Sequence, residues 1–270
     1  MDIRTPSVAT RSGVSAGAAP VIEAFATQRA RLVLLARELS DDEWRAPSRC
    51  TDWSVQEVVR HLVDPTDRIG KLTRGEPTGD TGFDPRTTPR RWLEETAGYT
   101  TTQTVDGLVA TTESELAAFD DLTATGDDRA LPGPYGAIHW TTFALHVFWD
   151  SWLHERDVAL PLGRPHGATE EENRLAALYG ITLAGLPLGT SGATATEHFV
   201  LDGPGGGGFR MDAGEETCTT TGTPAPGALR GELAPVVDSL SGRDAELADV
   251  LDGPPERVAR LGYVRAFMRS

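Results

Sequence analysis

Cysteine is scarce in this chain: 270 residues carry two, Cys50 and Cys218. They stand far apart and match no metal-binding or redox spacing, so a disulfide scaffold is excluded and two reduced thiols of a cytoplasmic protein are expected. No apolar run approaches the roughly 18 residues that a membrane span needs. Positive charge is also short, with 25 Lys and Arg against 40 Asp and Glu and a net charge of -15. That balance repels phosphate backbones and anionic lipid, so no nucleic acid and no membrane partner is expected; a small molecule is. Residues 1–19 lack the apolar core of a secretory signal, and their Ser, Ala, Gly and Thr content predicts a disordered tail. What the chain does have is 39% hydrophobic residues with 29 Gly and 18 Pro, an ordinary soluble composition with loop-rich stretches. Its length allows one large domain or two smaller ones, as a monomer or a homodimer.

Helical periodicity organises the first two thirds. Val21, Ala24, Phe25, Leu32, Leu35 and Ala36 predict a helix from about Pro20 to Leu39, with Gln28 interrupting its stripe and implying a less buried middle. Ser54 followed by Glu57 has the form of a capping box and opens a second helix that carries His61, before Asp64-Pro65 bends or ends it. Residues 74–88 form a Gly/Pro/Asp-rich loop of a length that is more often functional or mobile, and a place to look for substrate choice. A third helix is expected from Pro89 to about Phe119, residues 120–135 as a loop, and a fourth helix from Gly136 to Ala159. A fifth runs from Glu170 to Leu186. Strands are expected at 195–201, 208–212 and 217–221, and helices at 231–240 and 255–268. The fold class is therefore mainly α, followed by a smaller α+β part, with residues 20–190 and 191–270 as the two units.

The chemistry concentrates in Trp149-Asp-Ser-Trp-Leu-His154. Asp150 and His154 are one helical turn apart and share a face. With His61 from the second helix they make two imidazoles and one carboxylate, enough to hold a divalent transition metal and leave positions open. Each alone has a plainer reading, the histidine as a core residue and the i, i+4 pair as a surface contact. The flanking Trp149, Trp152 and Leu153 argue against a solvated face, and a buried unpaired carboxylate is costly. His146, one turn before Asp150, reads as a packing residue first and a pocket residue or substitute ligand second. Asp157 either accepts a hydrogen bond from His154 or pairs on the surface with Arg156 or Arg60. Trp44 and Trp53 read as packing of the bundle's end, and Cys50 as a core or loop residue. The run Gly203–Gly208 lacks both phosphate-loop and dinucleotide spacing and reads as a long hairpin turn.

Three segments carry a family resemblance: Leu39-Ser-Asp-Asp-Glu-Trp44, Cys50-Thr-Asp-Trp-Ser-Val-Gln-Glu-Val-Val-Arg-His-Leu62, and Leu153-His-Glu-Arg-Asp157. In order and spacing they resemble the DinB-like family, in its mycothiol-dependent maleylpyruvate isomerase branch, over residues 20–160. The resemblance implies a DinB-like four-helix bundle with a smaller C-terminal α+β domain. It implies a metal, usually zinc, held by His61, Asp150 and His154, and mycothiol as the low-molecular-weight thiol cosubstrate. The branch has Glu where this chain has Asp150, which is one methylene shorter. Leu240-Ser-Gly-Arg243 is similar to a Leu-x-Gly-Arg motif of the branch's second domain; an arginine of that domain helps catalysis in the isomerases, and the resemblance assigns it to no single position of this chain. Arg243 and Arg265 are accordingly candidates for anion binding, with Arg257 and Arg260 beside them and a solvated helix face as the plain reading of each. The implied activity is that of a metal-dependent, thiol-using isomerase or transferase acting on a small electrophilic metabolite. A metal-dependent hydrolase or secondary-metabolism enzyme without thiol, and a non-catalytic ligand-binding protein, are the alternatives.

Overall fold

The computed structural model describes residues 17–78, 87–133, 136–190, 194–214 and 217–262. The predicted tail to residue 16, most of the 74–88 loop, and Arg265 with the end of the predicted 255–268 helix lie outside the described residues.

The N-terminal elements are α1 (Ala18–Glu38), α2 (Asp41–Arg45), α3 (Val55–His61), α4 (Arg68–Arg74), α5 (Thr88–Glu95) and α6 (Thr101–Thr125). A two-stranded hairpin follows, β1 (Ala130–Gly133) and β2 (Gly136–His139), and then α7 (Trp140–Ala159). Helices α1, α3, α6 and α7 form the bundle: α1 packs on α6 and α7, and α3 packs on the same two from the other side. The fold is thus mainly α, a DinB-like four-helix bundle continued by a smaller α+β part.

Capping decides where several helices begin. Ser40 with Glu43, Ser54 with Glu57 and Thr100 with Gln103 each form a reciprocal box that satisfies two otherwise orphaned amides. The third box corrects one expectation. The helix predicted from Pro89 to Phe119 is two helices, because Thr100 caps a new start and α6 then runs on to Thr125. The fourth helix likewise starts at Trp140, since residues 136–139 pair with 130–133 and bury Leu131 against Ile138. A short α4 that periodicity did not reveal follows α3.

Beyond the bundle lie α8 (Glu170–Thr190), β3 (Ala195–Asp202), β4 (Gly207–Ala213), β5 (Cys218–Gly222), β6 (Leu229–Glu232), α9 (Leu233–Leu240), α10 (Leu247–Val250), β7 (Leu251–Asp252) and α11 (Pro255–Leu261). The sheet order is β5-β4-β3-β6-β7, with only the β3–β6 pair parallel. Phe199 lies opposite Phe209 on one side and Leu229 on the other. Gly205 allows the β3–β4 turn to sit against α8: a Cβ there would meet the Glu170 carbonyl at 2.2 Å, and its φ is +79°.

Two hydrophobic clusters form the core. One runs from α1, α6 and α7 through α8 into the sheet, with Trp149, Trp152, Leu178, Phe199 and Val236 among its members. The other joins Leu32, Val58, Val59, Leu108 and Val158 at the α2–α3 end. A polar layer crosses the bundle. Gln28 is fully buried; it donates to the Ser151 carbonyl and to Glu155, and accepts from the Ser151 hydroxyl. The expectation of a less buried middle for α1 is therefore corrected: complementary partners on α7 take the amide in. Arg29, 2% exposed, faces Glu115 at 3.5 Å, and its Nε and Nη1 have no hydrogen-bond partner among the described residues.

Candidate metal centre

Helix α3 ends at His61 and α7 passes across its end, which brings together the three residues read as ligands. His61 Nε2 lies 3.5 Å from Asp150 Oδ2, and His154 Nε2 lies 3.6 Å from Asp150 Oδ1. The imidazole centroids are 4.7 Å apart. One ligand atom from each of the three falls within 4.8 Å of the other two. In a tetrahedral zinc site with bonds of about 2.0–2.1 Å, ligand atoms stand about 3.3 Å apart, close to the 3.5 and 3.6 Å between the carboxylate and the two imidazoles. The carboxylate presents one oxygen to each imidazole. Although set deep among helices, the Asp150 side chain keeps 29% of its surface open, so it lines a cleft.

Behind His154 stands a hydrogen-bonded support. Its Nδ1 donates to Asp157 Oδ2 at 3.0 Å. Asp157 also receives Arg243 Nη2 at 2.9 Å and the Cys50 thiol at 3.0 Å, with Arg49 Nη1 at 3.9 Å. Of the two readings of Asp157, the geometry selects the partner of His154: Arg156 pairs instead with Asp238, and Arg60 donates to the Thr96 carbonyl. A carboxylate behind a ligand imidazole fixes its tautomer and turns the Nε2 lone pair toward the ion. On the other side, His61 Nδ1 is buried and has no hydrogen-bond partner among the described residues.

The electrostatics call for a cation. Burial pushes the Asp150 carboxyl up, but the charge of His154 and the hydrogen bond from His61 outweigh it and hold it well below the usual carboxylate range. Burial pushes His154 down, yet Asp150, Asp157 and Cys50 together raise it to about 10. Burial keeps His61 below its ordinary value. The pocket between Asp150 and the two rings thus retains a proton on His154 when no other positive charge is supplied. A neutral His154 that donates through Nδ1 would set its Nε2 lone pair against a carboxylate oxygen, two acceptors face to face. A divalent ion resolves that conflict as a proton does. Donor types, spacing and support all fit such an ion; the unpartnered Nδ1 of His61 is the one incomplete element.

A second set, Cys50, His154 and Asp157, also has ligand atoms within 4.8 Å of one another. There the cation is already supplied by the chain. Arg243 Nη2 is 3.4 Å from Cys50 Sγ as well as 2.9 Å from Asp157, so the guanidinium fills the cationic place. Arg243 follows α9, which makes it the point where the C-terminal part reaches the centre. Its Nη1 donates to the Ser241 carbonyl, so its donors are largely engaged by the chain itself. Arg257 pairs with Glu197, and Arg260 is exposed.

Sequence reasoning missed Cys50, Arg49 and Trp53 here. Trp53 does more than pack the bundle's end: its ring lies against His61 at 5.2 Å and stacks with His154 at 6.3 Å. Its place three residues after Cys50, in the segment leading to the His61 helix, was the available signal. His146 belongs to neither ligand set; its Nδ1 meets the Tyr179 hydroxyl at 2.9 Å.

Residues 25–159 match the family model described as the mycothiol maleylpyruvate isomerase N-terminal domain, half of the chain. Two solved structures, of the mycothiol-dependent maleylpyruvate isomerase and of a histidine-to-alanine variant of it, share the fold. Each is 12% identical, with a TM-score of 0.61 over 87% of this chain and 92% of theirs. No curated protein matches the chain. Among the described residues no helix is long and apolar enough to cross a membrane.

Proposed function

The chain belongs to the mycothiol maleylpyruvate isomerase N-terminal domain family, and on that premise we propose that it is a metal-dependent, thiol-using isomerase or transferase acting on a small electrophilic metabolite. The observation that carries this reading is the convergence of His61 Nε2 and His154 Nε2 on the two oxygens of Asp150. These three residues would hold the ion, with zinc the metal that two imidazoles and a carboxylate suit best. Bound there, zinc lowers the pKa of a coordinated thiol, so that a thiolate nucleophile exists at neutral pH. Mycothiol is the cosubstrate that the family points to.

The chain's own residues hold and orient. With the ion in place, Asp157 would keep the remaining His154 proton on Nδ1 and leave the Nε2 lone pair for the ion. Burial pushes the Arg243 guanidinium down, but Asp157 beside it holds it firmly charged. That fixed charge keeps Asp157 ionised although it is fully buried. Trp53 covers one side of both rings and shields them from water. Because Asp150 is a methylene shorter than the glutamate of the isomerase branch, the ion would be drawn toward α7, and metal preference is where this chain departs from that branch.

Elemental analysis of protein purified without chelator, joined to an assay of the conversion of an unsaturated oxo acid such as maleylpyruvate with and without added mycothiol, tests the reading. One equivalent of zinc and turnover that needs mycothiol are expected. Metal-free protein, or turnover indifferent to thiol, would overturn it.

A further inference from the structure

Helix α7 is buried along almost its whole length. Within it Thr141, His146, Asp150 and Arg156 keep partial exposure, and His146 and Asp150 stand four positions apart on one face. One helical turn separates them by about 6 Å along the axis. The partly exposed strip of α7 that holds Asp150 therefore takes in His146. His146 is not a fourth ligand, for it joins neither set of convergent donor atoms. Its ring is instead fixed from behind. Nδ1 meets the hydroxyl of Tyr179 on α8 at 2.9 Å, and the ring is stacked against Trp149 at 6.1 Å and tilted against Phe143 at 6.5 Å. Tyr179 is itself buried and packed on Trp149. In a partly exposed histidine with Nδ1 tied to a buried hydroxyl, Nε2 is the nitrogen that remains for a ligand.

We propose that His146, set by Tyr179, is a catalytic hydrogen-bond donor to the substrate: Tyr179 donates to Nδ1, and Nε2–H binds the carbonyl oxygen of a conjugated oxo acid. This rests on the thiol-addition reading above. When a thiolate adds to the β-carbon of a conjugated carbonyl compound, a C–S bond forms and the C=C electron pair moves to the carbonyl oxygen as an enolate. Rotation about the former double bond and expulsion of the thiolate restore C=C in the other geometry, with no net redox change. The charge gathers on that oxygen, and a preorganised donor aimed at it stabilises the transition state more than the ground state. Burial keeps His146 below its ordinary pKa, so the ring acts as a neutral donor near pH 7.

Oxalate, an anionic mimic of the enolate form of an oxo acid, is the probe. Its affinity for the zinc-loaded protein is measured by calorimetry for the parent, His146→Ala, His146→Gln and Tyr179→Phe, with zinc content determined for each. Full zinc occupancy is expected throughout. Oxalate binding should fall about tenfold or more in His146→Ala, stay within about threefold in His146→Gln, which keeps a donor, and fall between these in Tyr179→Phe. In nitrogen-resolved NMR of the parent, His146 should hold its hydrogen on Nε2 and that signal should move on adding oxalate. Equal oxalate affinity in His146→Ala and the parent, or a hydrogen on Nδ1, would overturn the proposal while leaving the zinc reading standing. A parent that takes up no zinc overturns both.

Discussion

Replacing His61 by alanine removes one of three convergent donors while leaving α7 intact. His61 Nδ1 has no partner among the described residues, so the change strands no donor there. Zinc that binds only the folded state stabilises it by RT ln(1 + [Zn]/Kd), about 2.7 kcal/mol when free zinc is 100 times Kd. For 270 residues, an unfolding entropy of about 2.1 cal/mol/K per residue gives about 0.6 kcal/mol per degree. The parent should therefore melt about 5 °C higher with zinc than without. If losing His61 weakens zinc by about a hundredfold, the same free zinc stabilises by only about 0.4 kcal/mol, a shift of less than about 1 °C. Scanning calorimetry of both proteins, with zinc held at a buffered free concentration and with chelator, isolates that increment from any change in the metal-free baseline. His198→Ala, on β3 and outside the centre, serves as control. An equal zinc increment in parent and His61→Ala would refute His61 as a ligand.

Asp157→Asn should weaken zinc by about 10- to 100-fold, measured by competition with a chromophoric chelator, because a neutral amide that can donate as well as accept replaces the acceptor-only carboxylate that fixes the His154 tautomer; unchanged affinity would remove Asp157 from the centre. Zinc uptake at pH 7 should release about one proton, since His154 is raised to about 10 without the ion; calorimetry in buffers of different ionisation enthalpy reads that number, and zero release would contradict a protonated His154. Arg29→Met should destabilise by about 3–5 kcal/mol above pH 7, because Glu115 loses its counter-charge and must either stay ionised and unpaired or take up a proton in the core; urea unfolding against an Arg29→Met/Glu115→Leu double variant, which should recover most of the loss, checks it. Burial lifts Glu115 from 4.5 to about 7. Between those values the folded state holds more protons than the unfolded chain, so the advantage is full below pH 4.5 and is lost as pH rises through 7, on the order of 3 kcal/mol. Glu115→Gln should flatten that slope in unfolding curves at pH 5 and pH 8.

The chain order of local patterns already contained much of this protein. Apolar spacing placed α1, and the Ser54/Glu57 pair placed α3, because periodicity and capping depend on residues a few positions apart. His61, Asp150 and His154 could be singled out for the same reason: a turn of helix puts Asp150 and His154 on one face, and the segment around Cys50 to Leu62 marks the helix that bears His61. What no local pattern carries is partnership across the fold. Gln28 looked like a gap in a stripe until Ser151 and Glu155 met it from α7. Asp157 had two equal readings until Arg243, 86 positions away, and Cys50, 107 positions away, came to it. His146 was a packing residue until Tyr179 on α8 took one of its nitrogens. Helix period and caps follow from short-range sterics and hydrogen bonding, so the sequence by itself determined the bundle and nominated three ligands. Burial, charge pairing and tautomer depend on which distant residues the packed helices bring within about 3 Å, and only the tertiary structure decided those.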